Sequence, residues 1–322
     1  MKLPVTAIIP TLNCREKLAT HLDAIEEWLP LVGEILAVDS NSNDGTKELL
    51  EERLKPHGGQ IISTDPGLYK AWNLAARRAT QPYIYYSTIC DIISKDGLSN
   101  LYDIASENEL DVVISVPRIL SAQGLPVKDV KWPIHYVVKY LNFANDLALY
   151  EKEAYVRLVQ IFLPASILGS SASNLYRTEV IQQNPFPEDY GVVGDSVWAV
   201  RNLPLLKVGI THKEFASFCW DGIRNGTWDE GGVLMERMLG EAEKWLTSEQ
   251  MTHAEQITHI NYIVTQSSTD HLRDECIRLQ AVIDEYDDYV KFLTRPLSVK
   301  MKDGFFKYTS IRYWWGKIRS SG

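Results

Sequence analysis

Glu34-Ile35-Leu36-Ala37-Val38 runs without a break into Asp39-Ser40-Asn41-Ser42-Asn43-Asp44-Gly45-Thr46. A short apolar run that ends in a dense polar turn reads as a buried strand stopping at a loop. A helix is expected from about Gly45, with Asn43 or Asp44 as its N-cap. Upstream, Val5–Pro10 (VTAIIP) is a second strand of the same kind, and between the two Leu18, Leu22, Ile25 and Leu29 form one helical stripe. Downstream the alternation continues. Strands are expected at Gln60–Ser63, Tyr83–Ser87 and Asp111–Val116, and helices at Leu68–Arg78 and Asp96–Glu107. This order predicts an α/β protein with a mostly parallel sheet and helices on both faces. Right-handed crossovers then bring the strand C-terminal ends to one edge, where ligands of such sheets bind. The polar loops after Pro10, Val38 and Ser87 all fall on that edge.

The chain has 322 residues, 45% apolar and 23% charged, as an ordinary globular protein has. Its net charge of -9 argues against a general nucleic-acid binder, which needs a basic face. Cys14, Cys90, Cys219 and Cys276 are far apart and form no CxxC pair, so neither a zinc knuckle nor a disulfide framework is expected. The N-terminus carries no charged n-region followed by an apolar h-region, and no run of about 18 apolar residues occurs, so the expected location is cytoplasmic.

Five constellations could carry chemistry. Pro10, Thr11 and Asn13 end the first strand and can offer backbone groups and a hydroxyl to a nucleotide. Asp39 stands where the second strand leaves the core, and a carboxylate there can accept the N–H groups of uracil or guanine. Asn41 and Asp44 lie in the same turn, where a capped turn without ligand is the competing reading for Asp44. In Asp65-Pro66-Gly67-Leu68-Tyr69-Lys70-Ala71-Trp72-Asn73, Gly67 lets the backbone pass close to a ligand. Tyr69 and Asn73 then lie on the first turns of a helix whose N-terminus could face a diphosphate; Trp72 reads as core. Asp91, after Ser87-Thr88-Ile89-Cys90, is an oxygen ligand suited to Mg²⁺ or Mn²⁺ shared with phosphates. Asp195, after Gly194, is either a general base or the N-cap of a helix over Ser196–Asn202, and the residues alone favour the cap.

In this order the motifs VTAIIPTLN, AVDSNSNDGT, DPGLYKAWN and STICD resemble the donor half of family 2 glycosyltransferases over about residues 4–115. Ser173-Asn174-Leu175-Tyr176-Arg177 and Gly194-Asp195 extend the resemblance through 172–220. It implies a GT-A-type fold and an inverting transfer of a sugar from a nucleotide-diphosphate donor to a hydroxyl of a glycan or lipid-linked acceptor, as in envelope polysaccharide or glycolipid synthesis. Thr11 and Asp39 match nucleotide-binding positions, Asp44 a turn acid near the nucleotide, Asp91 the metal-binding acid and Asp195 the catalytic base. The sequence departs from the pattern twice. Cys90 replaces an acid beside the metal ligand, and a thiol is a poor partner for Mg²⁺. Lys70 stands where an acid is common and could supply positive charge to the diphosphate. A fold that has kept nucleotide-sugar binding and lost catalysis, leaving a scaffold, is the alternative.

The expected organisation is a catalytic domain over 1–225, divided at 117 into donor and acceptor halves. A helical extension follows over 226–295 and a basic aromatic tail over 296–322. Leu272, Cys276, Leu279, Ile283, Tyr286, Val290 and Leu293 form a heptad-like stripe. It is read as a helix packed on its own domain, with a homodimer as the alternative. Residues 296–322 hold six Lys or Arg and one Asp, so they carry +5 and leave -14 on the remainder. The interleaved aromatics and cations suit a segment lying on an anionic membrane surface, which would make the protein peripheral on the cytoplasmic face.

Overall fold

The computed structural model describes residues 2–127, 132–139, 141–150, 152–162, 166–220 and 233–247. Residues up to 115 alternate as expected: β1 (Leu3–Thr11), α1 (Arg15–Ile25), β2 (Val32–Asp39), α2 (Thr46–Leu54), β3 (Gln60–Ser63), α3 (Leu68–Arg78), β4 (Tyr83–Tyr86), a two-residue β5 (Ile92–Ile93), α4 (Lys95–Glu107) and β6 (Val112–Ser115). The chain beyond residue 117 adds β7 (Arg118–Ser121), α5 (Pro133–Val137), β8 (Leu147–Tyr150), α6 (Lys152–Phe162), β9 (Asn174–Arg177), α7 (Thr178–Gln183), α8 (Gly194–Asn202), β10 (Val208–Thr211) and β11 (Ala216–Trp220). Helix α9 (Val233–Ala242) is the last described element.

Eight strands form one sheet in the order β3-β2-β1-β4-β9-β6-β10-β8. All run the same way except β9, antiparallel to β4 and β6, and β8, antiparallel to β10. A second sheet, β5-β11-β7, lies at the end of the first where Asp91 and Cys219 meet. Because side chains alternate across a strand, β4 feeds two cores. Tyr83 and Tyr85 pack with Leu18 and Leu22 of α1, Trp28 and Leu101 of α4. Ile84 and Tyr86 pack on the other face with Trp72 of α3, Tyr176, Phe186 and Trp198 of α8.

Two local expectations are corrected. The N-cap of α2 is Gly45, at φ 85°, a left-handed conformation that favours glycine, and it makes no side-chain cap. Asp44 acts from one position earlier. Helix α8 begins at Gly194, so Asp195 sits inside its first turn and does not cap it; the capping position is Val193. The heptad-like stripe over 272–293 and the tail over 296–322 lie outside the described residues.

Candidate active site at the carboxyl edge of the sheet

Thr11 and Asp39 are direct partners at the ends of β1 and β2. The Thr11 hydroxyl donates to Asp39 Oδ1 at 3.3 Å, and the Ser42 N–H donates to Asp39 Oδ2 at 3.0 Å. Asp39 is 1% exposed, with Pro10 buried one position before Thr11. The next loop positions are zipped together. Asn13 accepts the Asn43 N–H at 2.9 Å, and its own N–H donates to Ser42 Oγ at 2.9 Å. Asn13 (φ 43°) and Asn41 (φ 55°) both take left-handed backbone, which asparagine tolerates in tight loops. Asn41 is exposed on the rim.

Asp44 ties two helix starts. Oδ2 accepts the Arg15 N–H at 3.0 Å, at the first residue of α1. Oδ1 accepts the Thr46 N–H at 3.0 Å and the Thr46 hydroxyl at 2.6 Å, at the first residue of α2. The Thr46 hydroxyl bond, the largest of these influences, holds the carboxyl below its ordinary value. Free helix N–H groups and the positive end of the helix dipole favour a carboxylate there.

Gly67 caps α3 at φ 153°. Lys70 is half-exposed and paired with Asp65 at 2.9 Å, so its charge already has a partner. Asn73 is buried, and both ends of its amide bind the chain ahead of α8. Oδ1 accepts the Phe186 N–H at 2.9 Å; Nδ2 donates to the Phe186 carbonyl at 2.8 Å and to Glu188 at 3.0 Å. Tyr69, one turn earlier, is buried and shares a hydrogen bond with the Asp195 carboxylate.

Asp91 lies in the turn after β4, where Cys90 adopts φ 75°. Its Oδ2 accepts the hydroxyls of Thr88 at 2.6 Å and Ser170 at 3.3 Å, and Oδ1 accepts the Cys219 N–H at 3.0 Å. Burial pushes its pKa up to about 7 against those three bonds, and no cationic side chain among the described residues offsets that burial. The set fits a hard cation through one carboxylate: the desolvated charge lacks a counter-charge, and Mg²⁺-type ions bind one or two carboxylates together with phosphates and water. Burial, first, and Cys219, second, raise the Cys90 thiol and keep it protonated, and its sulfur is a soft donor, a poor partner for Mg²⁺. Among the described residues no group of three His, Cys, Asp or Glu could hold a metal by itself.

Asp195 is half-buried, and burial pushes it up to about 6. Its Oδ1 accepts the Ser196 N–H at 2.7 Å. The segment entering β9 joins the two acids. Ser170 binds Asp91, Ser171 shares a hydrogen bond with Tyr176, and the Tyr176 hydroxyl feels the Asp195 charge. Asn174 Nδ2 steadies Tyr176 at 3.2 Å. The sequence-expected residues therefore gather as two adjoining groups on one edge: Thr11, Asn13, Asp39 and Asp44 at the ends of β1 and β2, and Asp91, Tyr69 and Asp195 around the end of β4 and the start of β9. Lys70 sits apart with Asp65. Ser170, Ser171 and Tyr176 were not expected as site residues; Tyr176 lay in a quoted motif, whereas the two serines carry no local signal.

The second anchor of the Asp195 loop comes from α9. Arg201 pairs with Glu241 at 2.6 Å, Tyr190 donates to Glu241 at 3.1 Å, and Arg237 lies 3.9 Å over the Tyr190 ring. Among the described residues no helix is long and apolar enough to cross a membrane.

The model of glycosyl transferase family 2 matches residues 6–155. No curated protein sequence matches the chain. Structures of S. aureus TarS share the GT-A fold. TarS 1-349 is 15% identical with a TM-score of 0.57, covering 91% of this chain and 90% of that one. Its complex with UDP is 17% identical, TM-score 0.55, covering 87% and 75%. Its complex with UDP-GlcNAc is 17% identical, TM-score 0.55, covering 84% and 75%.

Proposed function

We propose, from the match of residues 6–155 to the model of glycosyl transferase family 2, that this chain transfers a sugar, with inversion, from a nucleoside-diphosphate donor to an acceptor hydroxyl. The observation that carries the mechanism is Asp195: a half-buried carboxylate pushed up to about 6, on the same sheet edge as Asp39 and Asp91. A base poised near the working pH accepts a proton efficiently and still releases it. The acceptor hydroxyl attacks the anomeric carbon on the face opposite the diphosphate; the C–O bond to the diphosphate breaks as the new glycosidic bond forms. Asp195 takes the hydroxyl proton. One displacement at one carbon inverts its configuration.

Thr11 and Asp39 would receive the nucleobase, with Asp39 accepting an imide or amino N–H. Pro10, Asn13, Asn41 and Asp44 shape the loops around it, and Gly67 opens the start of α3 toward the diphosphate. Asp91 would hold Mg²⁺ or Mn²⁺, which supplies positive charge to the leaving phosphates. We read the acceptor as a glycan or lipid-linked glycan, met at an anionic membrane surface through residues 296–322; flotation with anionic vesicles tests that part.

The test of the central reading is a thermal-shift panel of UDP-, GDP- and dTDP-sugars followed by a transfer assay. UDP sugars come first, given the ligands of the similarly folded TarS structures. Asp195→Asn is expected to keep donor binding and lose transfer, and the product's anomeric configuration reports inversion. Full turnover by Asp195→Asn removes the base assignment.

A further inference from the structure

The Tyr69 ring is fixed from three sides. It stacks on Phe186 at 5.6 Å and 19°, and meets Trp72 edge-on at 5.3 Å and 77°. Phe186 is itself bracketed by the Asn73 amide. On the remaining side lies Gly194, where a Cβ would stand 2.5 Å from Tyr69 Cε2 and 2.7 Å from the Pro187 carbonyl. The bare backbone at 194 is what lets the ring lie against the start of α8. In that place its hydroxyl meets the carboxylate of the next residue, Asp195. At 3% exposure the ring presents almost no surface to a ligand.

We propose that Tyr69 is the positioning residue of the Asp195 base, its hydroxyl donating to the carboxylate and holding it in the orientation that receives the acceptor proton. The inference rests on the reading of Asp195 as base. Burial, first, and the Asp195 charge, second, push the Tyr69 hydroxyl well above its ordinary range, so it remains a donor at every working pH. Among the described residues, Tyr69 from α3, Tyr176 from β9 and Ser196 from its own helix face Asp195. Burial raises the Asp195 carboxyl, and the bonds from Ser196 and Tyr69 limit that rise. Removing the Tyr69 hydroxyl therefore raises it further.

The experiment is a carbon-13 titration of the full chain labelled at aspartate carboxyls, with Asp195 assigned by the resonance missing from Asp195→Asn. Tyr69→Phe keeps the ring stacking and removes the donor. Its Asp195 midpoint is expected to rise by about one pH unit, the scale of one hydrogen bond to a charged group. An unmoved midpoint overturns the proposal. In the unaltered protein the Tyr69 ring carbon beside the hydroxyl must shift through the same midpoint as Asp195. A flat response there overturns it too, without any variant. UDP release from UDP-GlcNAc is followed in parallel. If Asp195→Asn releases UDP as fast as the unaltered protein, the base reading fails, while the titration still decides whether Tyr69 governs the carboxylate.

Discussion

Asn73 brackets Phe186 across 113 residues of sequence, its carbonyl taking the Phe186 N–H and its amino group giving to the Phe186 carbonyl. This mimics one rung of a sheet ladder and fastens the chain that leads into Gly194-Asp195. Asn73→Ala leaves two buried backbone groups without partners, at a cost of about 3 kcal/mol. Urea denaturation checks the loss. Transfer should fall as well, since the Asp195 loop loses an anchor.

Transfer should fade in acid. Asp195 accepts a proton only when ionised, and burial places its pKa at about 6. The rate is expected to drop about tenfold per pH unit below that point. The same shift has a stability sign. The folded state holds this proton more tightly than the unfolded chain, whose value is 3.8, so the contribution of Asp195 to stability declines as pH rises from 3.8 to about 6. Asp195→Asn should therefore show a smaller loss of urea midpoint than the unaltered protein across that window.

Gly194→Ala drives a methyl into the Tyr69 ring. Overpacking of this kind costs about 1–3 kcal/mol. Turnover should fall by at least about tenfold, because a displaced ring misplaces the base. An alanine variant with normal turnover would show that the contact between Tyr69 and α8 has no bearing on catalysis.

Chelation tests Asp91. If its desolvated carboxylate carries Mg²⁺ or Mn²⁺, treatment with EDTA should lower turnover by at least about tenfold, and Mn²⁺ should restore it. A rate indifferent to EDTA would leave Asp91 with a purely structural task, holding Thr88, Ser170 and Cys219 together.

The donor half was legible because each of its elements is specified locally. Val5–Pro10 and Glu34–Val38 are continuous apolar runs, and Leu18, Leu22 and Ile25 keep helical spacing, so fold and strand ends could be read directly. Residues 118–170 resisted the same treatment. Arg118–Ser121 and Leu147–Tyr150 are four-residue strands each buried at a single position, unlike the fully buried Tyr83–Tyr86 and Val112–Ser115. The position of Asp39 at the end of β2 is readable from the apolar run before it. Asn73 and Tyr69 were placed correctly on the first turns of α3, yet their partners lie beyond residue 185, and nothing in the local pattern names Phe186 or Asp195. Asp195 reads as a helix cap because it directly precedes the helical pattern of Ser196–Asn202, whereas α8 starts one residue earlier, at Gly194.

The reversed direction of β9 bears on how such a protein can diversify. The parallel strands β1, β2 and β4 finish at the edge where β9 begins, so the later part of the chain comes to Asp91 head first, through Ser170. The earlier and later parts of the chain thus meet at one carboxylate, Asp91. On the proposed transfer reaction, substitutions in the entering segment would alter the choice of acceptor hydroxyl while the loops after β1 and β2 stay as they are.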